Sequence, residues 1–187
     1  MNVGSAERRG PAPLLVLGLG NPLLSDDGVG LEMLKALTSH ASETWGRRVE
    51  LVDGGTQGLA LLGRIEGRRA LVVLDAISRG SDPGTVHVLD GLQALGLAGP
   101  PSSVTPHEGG AAQLLSAAAL LGDLPPRVQV VGVEPACVET GLGLSPTVQA
   151  ALPRALDRAR AAIDLLLGSL PTFEGTAAPA RNPTHHP

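Results

Sequence analysis

The chain has 187 residues, about the length of one domain and enough to enclose a hydrophobic core. Its net charge of −4, with one Trp, one Phe and no Tyr, excludes a nucleic-acid surface built on positive charge and base stacking. The single cysteine, Cys137, cannot form an internal disulfide, so we expect a reducing, cytoplasmic setting.

Both ends of the sequence have the composition of flexible tails. Residues 1–12 and 169–187 are rich in Pro, Gly, Ala and polar residues and lack apolar periodicity. We therefore expect one folded domain over residues 13–168. The apolar run that follows the N-terminal tail is broken by Gly and Pro, and no run approaches the roughly 20 residues of a membrane-spanning helix.

Short apolar runs bounded by turn formers predict five β-strands. In chain order they occupy residues 14–18, 48–53, 70–76, 84–90 and 127–134. The fourth follows the third after a turn that is too short for a parallel crossover, which needs about a dozen residues, so it is expected to be antiparallel.

Helical patterns separate most of these strands, over residues 28–40, 57–66, 109–121 and about 146–167. Ser145 followed by Pro146 marks the start of the last helix. The apolar faces that we predict to pack on the sheet are Val29, Met33, Leu34 and Leu37 in the first helix, and Leu59, Leu61, Leu62 and Ile65 in the second. The alternation predicts a single α/β domain, with a twisted, mostly parallel sheet, one antiparallel strand and helices on both faces.

The turn after the first strand is rich in glycine but does not fit a nucleotide site. Gly18 and Gly20 are followed by Leu23, where a dinucleotide fingerprint requires a third glycine, and the sequence contains no P-loop. The acids Asp26 and Asp27 follow at once. This pair favours a cation over a phosphate.

Three residues at predicted strand ends or loops are candidates for chemistry: Asp27, Asp75 and His107. Asp75 follows four aliphatic residues, where an ionisable acid is costly unless it is paired, hydrogen-bonded or coordinated. Two carboxylates and one imidazole suit a divalent cation such as nickel, zinc or manganese, with positions left for other ligands.

Each of these acids also has a purely structural interpretation. Asp26 could cap the helix that begins near Gly28, and Asp75 could accept backbone N–H bonds at the sheet edge. Asp53 also ends a strand, and the glycines after it favour a role in stabilising a turn. A loop histidine such as His107 is more often non-functional than not.

Several motifs together resemble the hydrogenase maturation proteases from about residue 14 to about residue 167. They are "GLGNPLLSDDGVG", "DGGTQG", "LDAISRGSDPGTVHVL", "TPHEGG" and "VGVEP", in the order and approximate spacing of that family. The resemblance implies a cytoplasmic endopeptidase that removes a short C-terminal extension from the large-subunit precursor of a nickel–iron hydrogenase, after nickel insertion. We expect no membrane or nucleic-acid partner, and a monomer.

The resemblance also implies the site. The metal-binding residues of the family correspond to Asp27, Asp75 and His107, and the cation is nickel presented by the substrate. Asp27 stands where relatives often have Glu, which shortens the side chain by one methylene. Asp26 corresponds to the Asp before it and is a candidate to support that ligand.

Two other functions stay open at this point. A nickel-binding chaperone could use the same three ligands without cutting its partner. A cysteine peptidase could pair Cys137 with His107, although "VEPACVETGLG" offers no basic neighbour to favour the thiolate.

Overall fold

The computed structural model describes residues 11–96 and 110–171. Its five strands are β1 (Leu14–Leu19), β2 (Val49–Gly55), β3 (Ala70–Ala76), β4 (Val86–Asp90) and β5 (Val128–Val133). All five predicted strands are confirmed, each boundary within two residues of the prediction.

The helices are α1 (Val29–Thr44), α2 (Leu62–Ile65), α3 (Gly91–Ala94), α4 (Ala111–Leu121) and α5 (Pro146–Ser169). Ser145 caps α5 as predicted, because its hydroxyl accepts the N–H of Val148. The sequence analysis missed α3, which opens with a capping box between Asp90 and Gln93. None of the described helices combines the length and apolar character needed to cross a bilayer.

The second predicted helix is wrong as a continuous element. A 3-10 helix over Gly58–Leu61 precedes the single turn of α2. Its tighter winding of three residues per turn changes which side chains face the sheet. Leu61 and Ile65 are buried as predicted, but Leu59 is 51% exposed.

The strands form one sheet in the order β2-β1-β3-β5-β4. β1 pairs in parallel with β2 and β3, and β3 pairs in parallel with β5. β4 pairs antiparallel with β5 at the edge. The predicted α/β class with one antiparallel strand is confirmed.

The central strands are buried on both faces, as parallel strands require. Alternate residues of β1 divide between the two cores. Leu14 and Val16 pack with α1 and α5 on one face of the sheet. Leu15 and Leu17 pack with α2 and α4 on the other face.

The strand order reverses between β1 and β3. From β1 the chain passes through α1 to β2 on one side, and from β2 it returns through α2 to β3 on the other side. In open α/β sheets the crevice at such a reversal, at the carboxyl ends of the strands, is where ligands bind. The predicted acid Asp27 lies in the loop after β1, and Asp75 is the penultimate residue of β3.

Candidate active site

The glycine turn after β1 folds the chain tightly against its own continuation. Gly20 has a φ of +123°, and a Cβ there would overlap the carbonyl oxygen of Asp27. A Cβ at Gly30 would overlap the carbonyl oxygens of Leu19 and Leu74, which end β1 and precede Asp75. The glycines therefore allow the start of α1 to sit directly over the ends of β1 and β3.

Asp27 lies in a short 3-10 helix, Ser25–Gly28, that follows the turn. Its carboxylate is partly buried, and Oδ2 accepts the backbone N–H of Asn21 at 2.7 Å. The Asn21 side chain in turn accepts the N–H of Leu23 at 3.0 Å. The turn thus fixes the Asp27 side chain while leaving it partly open to solvent.

Asp75 is the penultimate residue of β3 and is only 6% exposed. Its Oδ1 accepts the N–H of Ala76 and its Oδ2 accepts the N–H of Ala111, each at 2.9 Å. Ala111 is the first residue of α4, so Asp75 joins the end of β3 to the start of this helix.

The electrostatics of the two acids are coupled. Burial and, to a smaller extent, the negative charge of Asp27 raise the pKa of Asp75, while the N–H groups of Ala111 and Ala76 lower it, with a net rise to about 7. The structure therefore brings Asp27 and Asp75 together with an excess of negative charge. A cation placed between them would relieve it.

The third predicted ligand, His107, lies outside the described residues. Within residues 11–96 and 110–171 no cluster of three or more His, Cys, Asp or Glu side chains has metal-binding geometry. The structure thus describes two of the three predicted residues, Asp27 and Asp75, and both lie at the carboxyl ends of the parallel strands.

The interpretation of Asp26 as a cap of α1 is wrong, because no side chain makes a capping hydrogen bond at the start of this helix. The side chain of Asp26 is completely buried. The carboxylate accepts N–H bonds from Ala136 at 2.9 Å, Cys137 at 3.0 Å and Ser145 at 2.6 Å, and the Ser145 hydroxyl at 2.8 Å. Burial raises the pKa of Asp26, but these four hydrogen bonds outweigh burial and hold the pKa below its ordinary value.

Asp26 thereby fastens the first loop to the loop between β5 and α5. Its own N–H donates to the Cys137 carbonyl at 3.2 Å, so the two backbones are joined in both directions. The backbone of Cys137 is thus engaged with Asp26. Its thiol is free of disulfide bonding and partly buried.

Glu134 is a buried acid to which the sequence analysis gave no role. Its carboxylate accepts the N–H groups of Arg79 and Gly80 at 3.0 Å and contacts Nε2 of His87, also at 3.0 Å. It ties the connection between β3 and β4 to the end of β5. The signal was present, since Glu134 ends an aliphatic run just as Asp75 does.

Asp53 lies two residues before the end of β2 and is exposed. Its carbonyl accepts the side-chain amide of Gln57 at 3.5 Å. The backbone after Asp53 borders the site, because the Gly55 carbonyl accepts the Gly20 N–H at 3.1 Å.

Comparison with known proteins agrees with this architecture. The model of the hydrogenase maturation protease family matches residues 32–162. The chain is similar to the hydrogenase 2 maturation protease of Escherichia coli strain K12, with 38% identity over 151 residues, 80% of this chain and 90% of that protein.

Solved structures show the same likeness. The hydrogenase maturating endopeptidase HybD from E. coli superimposes with a TM-score of 0.68 at 35% identity, covering 81% of this chain and 92% of that one. The NiFe hydrogenase maturation protease HybD from Thermococcus kodakarensis gives a TM-score of 0.63 at 25% identity, covering 79% and 97%. With its α/β sheet and the strand-end acids at the reversal of strand order, this chain is a peptidase that belongs to the hydrogenase maturation protease family.

Proposed function

We propose that this peptidase removes the C-terminal extension of a nickel–iron hydrogenase large-subunit precursor after nickel insertion, and that it recognises the bound nickel. The observation that carries the proposal is the pair of carboxylates at the ends of β1 and β3, close enough for Asp27 to raise the pKa of Asp75. The names of the matched proteins support the substrate class, since each is described as acting in hydrogenase maturation.

The residues fit a cation that arrives with the substrate. Each bonded oxygen of Asp27 and Asp75 accepts one N–H in the structure, and a carboxylate has about four lone-pair sites, so both side chains keep capacity for a metal. His107, four residues before Ala111 in the sequence, is the proposed nitrogen ligand. Three such ligands leave positions for groups of the precursor, and a bound cation could polarise a peptide carbonyl or activate water.

The chain's own acids account for discrimination against nickel-free precursor. A peptide that docks without a cation removes the partly exposed Asp27 from water beside the buried Asp75, with no positive charge to compensate, which costs several kcal/mol. Each 1.4 kcal/mol is tenfold in affinity, so nickel-free precursor is expected to bind roughly a thousandfold more weakly. The same reasoning predicts no cleavage of casein or unfolded chains.

The test is a time course with matched nickel-loaded and nickel-free precursor, in which the products are weighed by mass spectrometry. We expect the loaded precursor alone to lose its C-terminal extension. Equal rates for the two precursors would refute nickel recognition. If neither precursor is shortened, the assigned substrate is wrong, and binding without shortening would favour a chaperone.

Variants test the residues separately. Asp27→Asn, Asp75→Asn and His107→Ala are each expected to abolish processing. Asp53→Asn is the matched control, because Asp53 lies near the carboxyl end of the neighbouring strand β2 but is exposed. Full cleavage by either aspartate variant would remove that residue from the site.

A further inference from the structure

Two large apolar side chains are exposed beside the candidate active site. Leu23 is 59% exposed and lies in the loop that carries Asp27, and Leu142 is 84% exposed and lies in the loop between β5 and α5. Isolated exposed leucines are common on protein surfaces and need no explanation. This pair differs because both backbones are held in place and joined to each other.

The two loops are hydrogen-bonded as a short parallel bridge between Leu24 and Gly141. The Gly141 N–H donates to the Leu23 carbonyl at 2.9 Å, and the Ser25 N–H donates to the Gly141 carbonyl at 3.0 Å. A Cβ at Gly141 would lie 2.7 Å from the Ser25 hydroxyl, so the approach is too close for any other residue without a shift.

The bridge is further fixed by side chains. The Ser25 hydroxyl donates to the Glu139 carbonyl at 3.0 Å, and Asp26 joins the same two loops through its buried carboxylate. Ser25 has a φ of +49°, a left-handed conformation that costs a non-glycine residue free energy and persists only where neighbours hold it. Leu23 and Leu142 are therefore presented on a rigid platform, which reduces the entropy cost of binding a partner.

Three of the other exposed leucines, Leu120, Leu121 and Leu165, lie far from the acids. α4 begins at Ala111, which is hydrogen-bonded to Asp75, and runs about 16 Å to Leu121, so Leu120 and Leu121 lie toward its opposite end. α5 begins beside Asp26 and carries Leu165 near its other end. The platform is thus continuous with the candidate active site, and these leucines are not.

The two loops that carry the leucines contain acids but no basic residue, and the acid exposed beside the leucines is Glu139. Residues 21–27 and 135–145 contain Asp26, Asp27 and Glu139 but no Lys or Arg. The platform therefore complements a partner segment that is apolar and carries a positive charge at its border.

We propose that Leu23 and Leu142 form the docking surface for an apolar, positively flanked segment of the hydrogenase large-subunit precursor. This inference rests on the proposed function, and it assigns to the two leucines the binding of protein surface outside the scissile bond. Burial of both side chains stabilises the enzyme–substrate complex and the transition state equally. Loss of such uniform binding raises KM and leaves kcat unchanged.

The test measures cleavage of nickel-loaded precursor by Leu23→Ala, Leu142→Ala and the double variant. We expect KM to rise about tenfold in each single variant and more in the double variant, with kcat within twofold of the wild type. Leu120→Ala is the matched control, because Leu120 is 88% exposed and Leu142 is 84% exposed. Its KM is expected to stay within twofold.

Melting temperatures of all variants verify the fold, and exposed leucines are expected to leave them unchanged. Glu139→Gln is expected to slow association and weaken its dependence on salt. A KM for the double variant equal to that of Leu120→Ala, or a fall in kcat at constant KM, would overturn the docking surface. Failure of the wild type to cleave the loaded precursor would instead refute the proposed function.

Discussion

Replacing Asp75 with Asn should change how the stability of the protein depends on pH. Burial, aided by the charge of Asp27, raises the pKa of Asp75 from 3.8 to about 7 in the folded protein. The folded state therefore binds this proton more strongly than the unfolded chain does. The stability that protonated Asp75 contributes is fully present below about pH 4 and is lost as pH rises through about 7.

The magnitude follows from the shift. At 1.36 kcal/mol per unit, a rise from 3.8 to about 7 corresponds to about 4 kcal/mol in total. Of this, roughly 2 to 3 kcal/mol is lost between pH 5 and pH 8. The amide of the Asp75→Asn variant cannot titrate, so this variant should gain about that much stability relative to the wild type across this interval.

The test compares how the free energy of unfolding of each protein changes with pH, because the substitution also has an effect that is the same at every pH. Asp75 accepts two N–H bonds, from Ala76 and Ala111, whereas Asn has only one acceptor oxygen. The N–H that loses its acceptor costs about 1–3 kcal/mol at every pH. This cost moves the whole stability curve of the variant without altering its slope.

Urea unfolding of both proteins at pH 5, 6, 7 and 8 measures the difference. Other titrating groups cancel between wild type and variant where they lie far from the substitution. Asp27→Asn should also reduce the pH dependence of the otherwise native chain, because the charge of Asp27 raises the pKa of Asp75. Parallel stability curves for the wild type and Asp75→Asn would refute the assigned electrostatics.

Three further substitutions test the loops around the site. Gly20→Ala should destabilise the protein by about 3 kcal/mol or more, from the positive φ and the overlap with Asp27, whereas Gly63→Ala, with open space around it, should be neutral or slightly stabilising by urea unfolding. Asp26→Ala should cost about 3 kcal/mol near neutral pH, because four donors lose the buried carboxylate that accepts from them, and the cost should shrink as pH falls through the lowered pKa. Cys137→Ser should retain cleavage, and a folded but inactive Ser variant would favour a cysteine peptidase.

The strands and Asp75 could be predicted because their signals are local. An acid after four aliphatic residues is unfavourable wherever the strand lies, so Asp75 needed a partner whatever the fold. The glycine turn after β1 was also visible in the sequence, but the sequence did not reveal that the backbone of Gly20 lies against the carbonyl of Asp27. Leu59 was misassigned because a 3-10 segment and an α-helix share short apolar patterns but differ in period.

The role of Asp26 could not be predicted, because its partners lie 110 to 119 residues away in sequence. The platform formed by Leu23 and Leu142 depends on the same long-range pairing. Neither feature has a periodic pattern, and both arise only when the β5–α5 loop meets the β1–α1 loop. The His107 ligand stays a prediction, as it lies outside the described residues.

Asp26 and Asp27 are adjacent in sequence but differ in how their charge is satisfied. This difference assigns a structural role to Asp26 and a functional role to Asp27. Asp26 has four hydrogen-bond donors and a lowered pKa, so its charge is balanced within the fold. Asp27 instead adds its charge to Asp75, whose pKa is raised. Acids that a fold leaves unbalanced in a crevice are where function is expected. Under the proposed function, the substrate's cation supplies the missing charge, so the instability that Asp75 imposes on the free enzyme becomes selectivity for the loaded precursor.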